Sequence, residues 1–268
     1  MIYQYQIGKA PAGLPLNADW NDPAWAEVQE LEITHFRPES SSHRPRTFVK
    51  LLYSEDAIHG IYRVHDRYVR CVRLNYFDEV WKDSCVEFFA QPKPNRGYFN
   101  FEFNCGGAFL CSYITDPERT PCGFKAFTKL PWEVATRIQL RTSLSRIIER
   151  EISTPTVWTL QFLIPFSLFE PFAGNIGSIV GQVWLEIFSN VPKRCRIRIG
   201  LPGRQLMSST FIFRDALARF DLRNDYPPPL VTSLLRKRCP GSLPSFSKVM
   251  PSSSPTVAAR TSLAAKRW

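Results

Sequence analysis

The run Tyr98-Phe99-Asn100-Phe101-Glu102-Phe103-Asn104 alternates between aromatic and polar side chains without a break. Only an extended strand sends every second side chain to the same side. Phe99, Phe101 and Phe103 therefore form one face and require a core beneath them. Asn100, Glu102 and Asn104 form the other. A chain holding this strand must build a sheet with at least one buried face.

Other segments read the same way. Thr47–Tyr53 is apolar and β-branched, Ser54-Glu55-Asp56 reads as a turn, and Ile58–Val64 as the returning strand. Cys85–Ala90 precedes a Pro/Asn/Gly loop, and Gly106-Gly107 signals a hairpin from Tyr98–Asn104 into Ala108–Ile114. Ile138–Leu144, Trp158–Ile164 and Val180–Phe188 are further strands, and Pro165–Phe169 suits a short helical turn. Short strands separated by turn signals predict an all-β, antiparallel, jelly-roll-like sandwich. With 20 phenylalanines the chain can fill such a core, and its 22 prolines favour turns over long helices. Val49, Leu51, Val86, Phe88, Leu160 and Phe162 join the three alternating phenylalanines as expected core. No internal repeat and no glycine-rich phosphate loop is present.

The net charge of +10 is uneven. From Arg223 to Trp268 there are eight basic residues against the single acid Asp225. The body is therefore nearly neutral. Residues 1–223 are read as the sandwich domain, and 224–268 as a Ser/Pro-rich basic tail expected to be disordered, or translated past the natural end of a domain. A second basic run, Lys193–Arg198, raises nucleic acid as a partner, but the tail composition favours solvation instead. Salt dependence of binding separates the two readings.

No apolar run is long enough to span a membrane, and the N-terminus lacks the basic-then-apolar pattern of a signal peptide. The expected location is cytoplasmic, or secreted if the true start is missing. The seven cysteines form no CxxC pair, which argues against zinc. Their odd number fits reduced thiols, and Cys85 reads as a small buried hydrophobe.

One motif points to chemistry. In Glu79-Val80-Trp81-Lys82-Asp83-Ser84-Cys85-Val86-Glu87-Phe88-Phe89 a tryptophan sits in a charged loop, with a carboxylate inside the strand that follows. A flat polar ligand such as a sugar ring could stack on Trp81 while Glu87 accepts its hydroxyls. The Asn100/Glu102/Asn104 face supplies more fixed donors and acceptors. On pattern alone that face is equally a solvated outer surface.

Residues 15 to about 104 resemble the family-nine carbohydrate-binding modules, and more closely a cytoplasm-style branch of them. The resemblance is carried by Leu16–Trp25, His35–Pro38, Arg44–Thr47, Val49–Tyr53, His65–Val69, Trp81–Phe89 and Tyr98–Asn104. Trp158–Phe169 and Phe211–Leu222 resemble, more loosely, the family's penultimate strand and closing segment. The resemblance implies a β-sandwich that binds a mono- or oligosaccharide, often at a chain end, and works in carbohydrate catabolism beside a polysaccharide-degrading enzyme. It implies an aromatic clamp with Trp81 as one jaw and Phe211, or alternatively Phe213, as the other. Glu87 matches a carboxylate that bonds sugar hydroxyls, and Glu102 stands where the family can place an arginine. Asp83, Asn100 and Asn104 complete the expected site. Asn190–Ser209 departs most from the pattern. Some such modules bind structural calcium, but no Asp-rich loop supports that here, and no other cofactor is expected. Two further readings remain at this level. One is a glycoside hydrolase pairing Glu87 with Asp83 or Glu102; the other is a structural sandwich with an eroded site.

Overall fold

The computed structural model describes residues 3–34, 42–94, 96–120, 123–180, 182–185, 195–199 and 210–212. All of them belong to one compact unit, Met1–Pro227. The expected boundary near residue 223 and the basic tail lie outside the described residues.

The strands are β1 (Tyr3–Lys9), β2 (Leu31–Ile33), β3 (Arg46–Tyr53), β4 (Ala57–Asp66), β5 (Val69–Cys71), β6 (Cys85–Gln91), β7 (Tyr98–Asn104) and β8 (Phe109–Thr120). They continue with β9 (Gly123–Lys129), β10 (Gln139–Thr142), β11 (Ile148–Ile152), β12 (Thr156–Pro165), β13 (Val183–Leu185), β14 (Cys195–Ile199) and β15 (Thr210–Ile212). One large sheet runs β10-β12-β4-β3-β1-β14-β13, with β2 alongside β3. The second runs β15-β6-β7-β8-β9, and β5 pairs with β11 separately. Among the described residues helical structure is confined to short turns such as Phe166–Leu168, where the Pro165–Phe169 segment was expected to turn. Among the described residues no helix is long and apolar enough to cross a membrane.

Among the described residues the sandwich is antiparallel except at one strand. β1 runs parallel to β3 on one side and to β14 on the other. Both partners are distant in sequence, so no tight hairpin forces the opposite direction.

The alternating strand behaves as its pattern dictates. Phe99, Phe101 and Phe103 are fully buried, as are Val49, Leu51, Val86, Phe88, Leu160 and Phe162. Registry sets the shared face: Val86 stands opposite Phe103, Phe88 opposite Phe101, and Ala90 opposite Phe99. The two sheets meet through Phe162 of β12, whose ring centroid lies 5.1 Å from that of Phe88 and 5.5 Å from that of Phe103. Gly60, the partner of Phe162 across β4, makes room for that ring. A Cβ at position 60 would lie 2.2 Å from Phe162 Cζ. Tyr62 adds a polar tie between the sheets by donating its hydroxyl to the Glu87 carbonyl at 2.8 Å.

The outer face of the large sheet is covered too, which is why β3 is buried on both sides. Trp20 and Trp25 pack over Phe48, Leu52 and Ile61. Lys50 donates to the Trp25 carbonyl at 2.8 Å, and Gln161 Oε1 accepts from the amides of Asn17 and Ala18. The N-terminal segment is thereby fastened across β3, β4 and β12, and the other sheet is left to carry a site.

Candidate functional site

The site begins with a loop, residues 72–84, that leaves β5 and enters β6. A loop of this length needs partners for its amides, and two aspartates provide them. The amides of Val72 and Arg73 donate to Asp83 Oδ2 at 3.0 and 2.8 Å. Those of Leu74 and Asn75 donate to Asp78 Oδ2 at 3.1 and 2.8 Å. Four consecutive N–H groups are thus satisfied by two carboxylates. The amide bond from Asn75 leads the effects that hold the Asp78 carboxyl below its usual range. Asn104 closes the root of the loop. Its Nδ2 donates to Asp83 Oδ2 and to the Arg73 carbonyl, and its Oδ1 accepts from the Ala108 amide.

These bonds change the reading of two residues. Asp83 and Asn104, expected to meet ligand, are buried and hold backbone together. Asp83→Ala would strand three donors at the loop root, two of them amides. The expected cost is on the order of 3 kcal/mol of stability, measured by urea denaturation. An unchanged midpoint would show that the loop does not depend on this carboxylate.

The pinned loop presents Trp81. It lies in a single 3₁₀ turn, Val80–Lys82, whose Val80 is fully buried. Trp81 is half-buried against a patch of Val80, Cys85, Ala108 and Leu110. Lys82 Nζ lies 4.9 Å from the centre of its ring.

Cys85 and Leu110 carry Trp81 onto the expected face. Registry places Glu87 opposite Glu102, Cys85 opposite Asn104, and Phe89 opposite Asn100 on β6 and β7. Leu110 and Ser112 continue the face on β8. Trp81, Glu87, Asn100 and Glu102 therefore belong to one side of one sheet, with Trp81 at its end. At the other end Phe89, Tyr98 and Ile114 form a second apolar patch with Phe124. The face is an acidic and amide floor between two apolar patches.

The floor lies deeper than a solvated surface. Glu87 is 1% exposed, Asn100 2% and Glu102 7%. Asn100 Nδ2 donates to Glu102 Oε1 at 2.7 Å. Cys85 lies beside them. Its thiol is pushed well up, first by burial and then by the charges of Glu102, Glu87 and Asp83. It behaves as the small hydrophobe the sequence suggests.

The other expected jaw is placed only by its backbone. Phe211 pairs with Ala90 at the β15 edge, beside the floor-bearing β6. Its side chain, and the whole of Phe213, lie outside the described residues. Among the described residues no three His, Cys, Asp or Glu side chains converge in a way that could hold a metal ion.

Three aromatic residues near Trp81 carry no signal in the sequence reading. Phe77 packs on the same patch as Trp81 and adopts a left-handed backbone, φ +66°. Tyr76 touches it edge-on, and Trp132 packs against Tyr76.

The profile of carbohydrate-binding family 9 matches residues 21–193, which contain the loop, Trp81 and the whole acidic floor. Among solved structures the chain is similar to a candidate carbohydrate-binding protein from Bacteroides uniformis ATCC 8492. Identity is 24% and TM-score 0.58, over 68% of this chain and 80% of that one. It is also similar to a family 9 module from Caldicellulosiruptor kristjanssonii solved with cellotriose. There identity is 12% and TM-score 0.40, over 61% and 68% of the two chains. The same module with glucose gives 13% and 0.37, over 60% and 69%. No curated protein matches. The Bacteroides likeness is one of fold.

Proposed function

The chain belongs to carbohydrate-binding family 9, and we propose that it holds a sugar ring at the Trp81 end of the acidic floor. The observation that carries this reading is the position of Trp81. It is a half-open aromatic of the expected site, and it stands on a pinned loop at the rim of a face lined by Glu87, Asn100 and Glu102. The apolar side of a pyranose stacks on the indole, and its hydroxyls turn toward the carboxylates and the amide.

Glu87 and Glu102 stand directly opposite each other on neighbouring strands, with Asn100 bonded to Glu102. Carboxylates gathered on one small surface offer the several acceptors that a hydroxyl-rich ligand uses.

Binding without catalysis is the favoured reading. Asp83, one of the two candidate partners for Glu87 in hydrolysis, is tied to the loop amides and Asn104. Work beside a polysaccharide-degrading enzyme would give such a module its use.

Calorimetric titration with mono- and trisaccharides of glucose and xylose tests this. The expected affinity is micromolar to millimolar, as a few stacking and charge-assisted contacts provide. Glu87→Gln should weaken it by about tenfold, since an amide keeps one acceptor but loses the charge. No heat with any of these sugars would defeat the reading. Release of shortened products on long incubation would favour hydrolysis by Glu87 and Glu102 instead.

A further inference from the structure

We infer that Trp132, Tyr76 and Phe77 form a second aromatic platform, beside the Trp81 end of the floor, that takes a further ring of the same oligosaccharide. The inference rests on the sugar-site reading above.

Trp132 is 52% exposed, the most open aromatic among residues whose side chains are described. It opens the short helix Trp132–Ala135, which follows the buried Leu130 and the exposed Pro131. One exposed tryptophan is unremarkable on a soluble surface. This one is backed by a built support. The Tyr76 ring packs against it with centroids 5.1 Å apart. Tyr76 is itself fixed, because its hydroxyl donates to the Leu130 carbonyl at 2.7 Å and its ring contacts Phe77 and Phe109.

Phe77 links the platform to the site. It shares the Val80/Cys85/Ala108/Leu110 patch with Trp81, so the aromatic surface runs from Trp81 through Phe77 and Tyr76 to Trp132. Its left-handed backbone is unfavourable for a residue with a Cβ. The surroundings enforce it: the Phe77 amide donates to the Phe109 carbonyl, and Asp78 holds the residues just before. Strain of this kind concentrates where a side chain must be presented in one direction. Lys129 completes the rim with Nζ 4.2 Å from the centre of the Phe77 ring, an exposed donor suited to hydroxyl oxygens. The open Trp132 ring, backed by the tilted Tyr76 ring and with a donor at the rim, suits a neutral, hydroxylated ring that continues from the one on Trp81.

The test uses the full chain and the same glucose and xylose mono- and trisaccharides. Wild type should bind a trisaccharide at least about tenfold tighter than its monosaccharide. Trp132→Ala should remove most of that difference and leave monosaccharide affinity unchanged, and Trp132→Phe should restore part of it. The indole N–H resonance of Trp132, assigned by its loss in Trp132→Phe, should shift with the trisaccharide and not with the monosaccharide. Full trisaccharide affinity in Trp132→Ala would overturn the platform and leave the Trp81 site standing. Equal loss of both sugars would overturn it as well, because Trp132 would then merely support Trp81. A wild type that binds none of these sugars would overturn the platform and the Trp81 site together.

Discussion

Replacing Trp81 with alanine is expected to lower sugar affinity about a hundredfold while leaving the fold intact. Half an indole face covered by a pyranose removes roughly 100 Å² of apolar surface from water, worth about 2.5 kcal/mol at about 25 cal/mol per Å². Stacking geometry adds about 1 kcal/mol. A loss on the order of 3 kcal/mol is a factor of about a hundred. The variant should fold because the turn is anchored by Val80, which is fully buried, and by the Asp83 bonds, neither of which involves the indole. Half-buried packing on Cys85 and Leu110 would be lost, at a cost of about 1 kcal/mol. Titration of the variant beside a thermal melt separates the two roles. Undiminished affinity would show that the ring is packing, and so would collapse of the fold.

Phe101→Ala should do the reverse and act on stability. Phe101 lies at the centre of β7 with no exposure. Its ring meets Phe88, Phe99, Phe103 and Phe169 at centroid distances of 6.0 to 6.3 Å. Neighbours on two strands of one sheet and on the segment that follows β12 cannot all relax into the vacated space. The expected loss is about 3–5 kcal/mol, the range for burying a cavity where a phenyl ring stood. Denaturant unfolding measures it. A loss below about 1 kcal/mol would mean that this part of the core is loosely packed.

The core was the most readable part of the sequence, because period two is a geometric property of extended backbone and needs no partner to be recognised. Phe99, Phe101 and Phe103 declared their face, and Val86 and Phe88 declared the matching one. Parity also put Glu87, Asn100 and Glu102 together on the other side. It could not give their depth, because alternation reports which side a residue faces and says nothing of what lies over that side. The structural bonds of Asp83 and Asn104 were hidden for a related reason. A carboxylate near an aromatic looks like a ligand group until the backbone amides of Val72 and Arg73 fold back onto it. Phe77 left no trace, since nothing in a sequence marks a phenylalanine that tertiary contacts hold at positive φ. The basic run Lys193–Arg198 hid a strand. Cys195, Ile197 and Ile199 alternate with Arg196 and Arg198, but the density of charge obscured the period.

That strand sets the order in which this sheet can be completed. β1 is made well before β14, yet one of its two edges is closed by β14, with Tyr3 opposite Cys195. During synthesis at roughly 5–20 residues per second, the gap between them lasts about 10–40 s. Throughout that interval the edge lacks its β14 partner, and an open edge is a template for pairing with another molecule. The β1–β14 contacts also join strands far apart in sequence, which makes their closure slow. Until β14 is made and docked, β1 is therefore the place where a growing molecule is open to self-association.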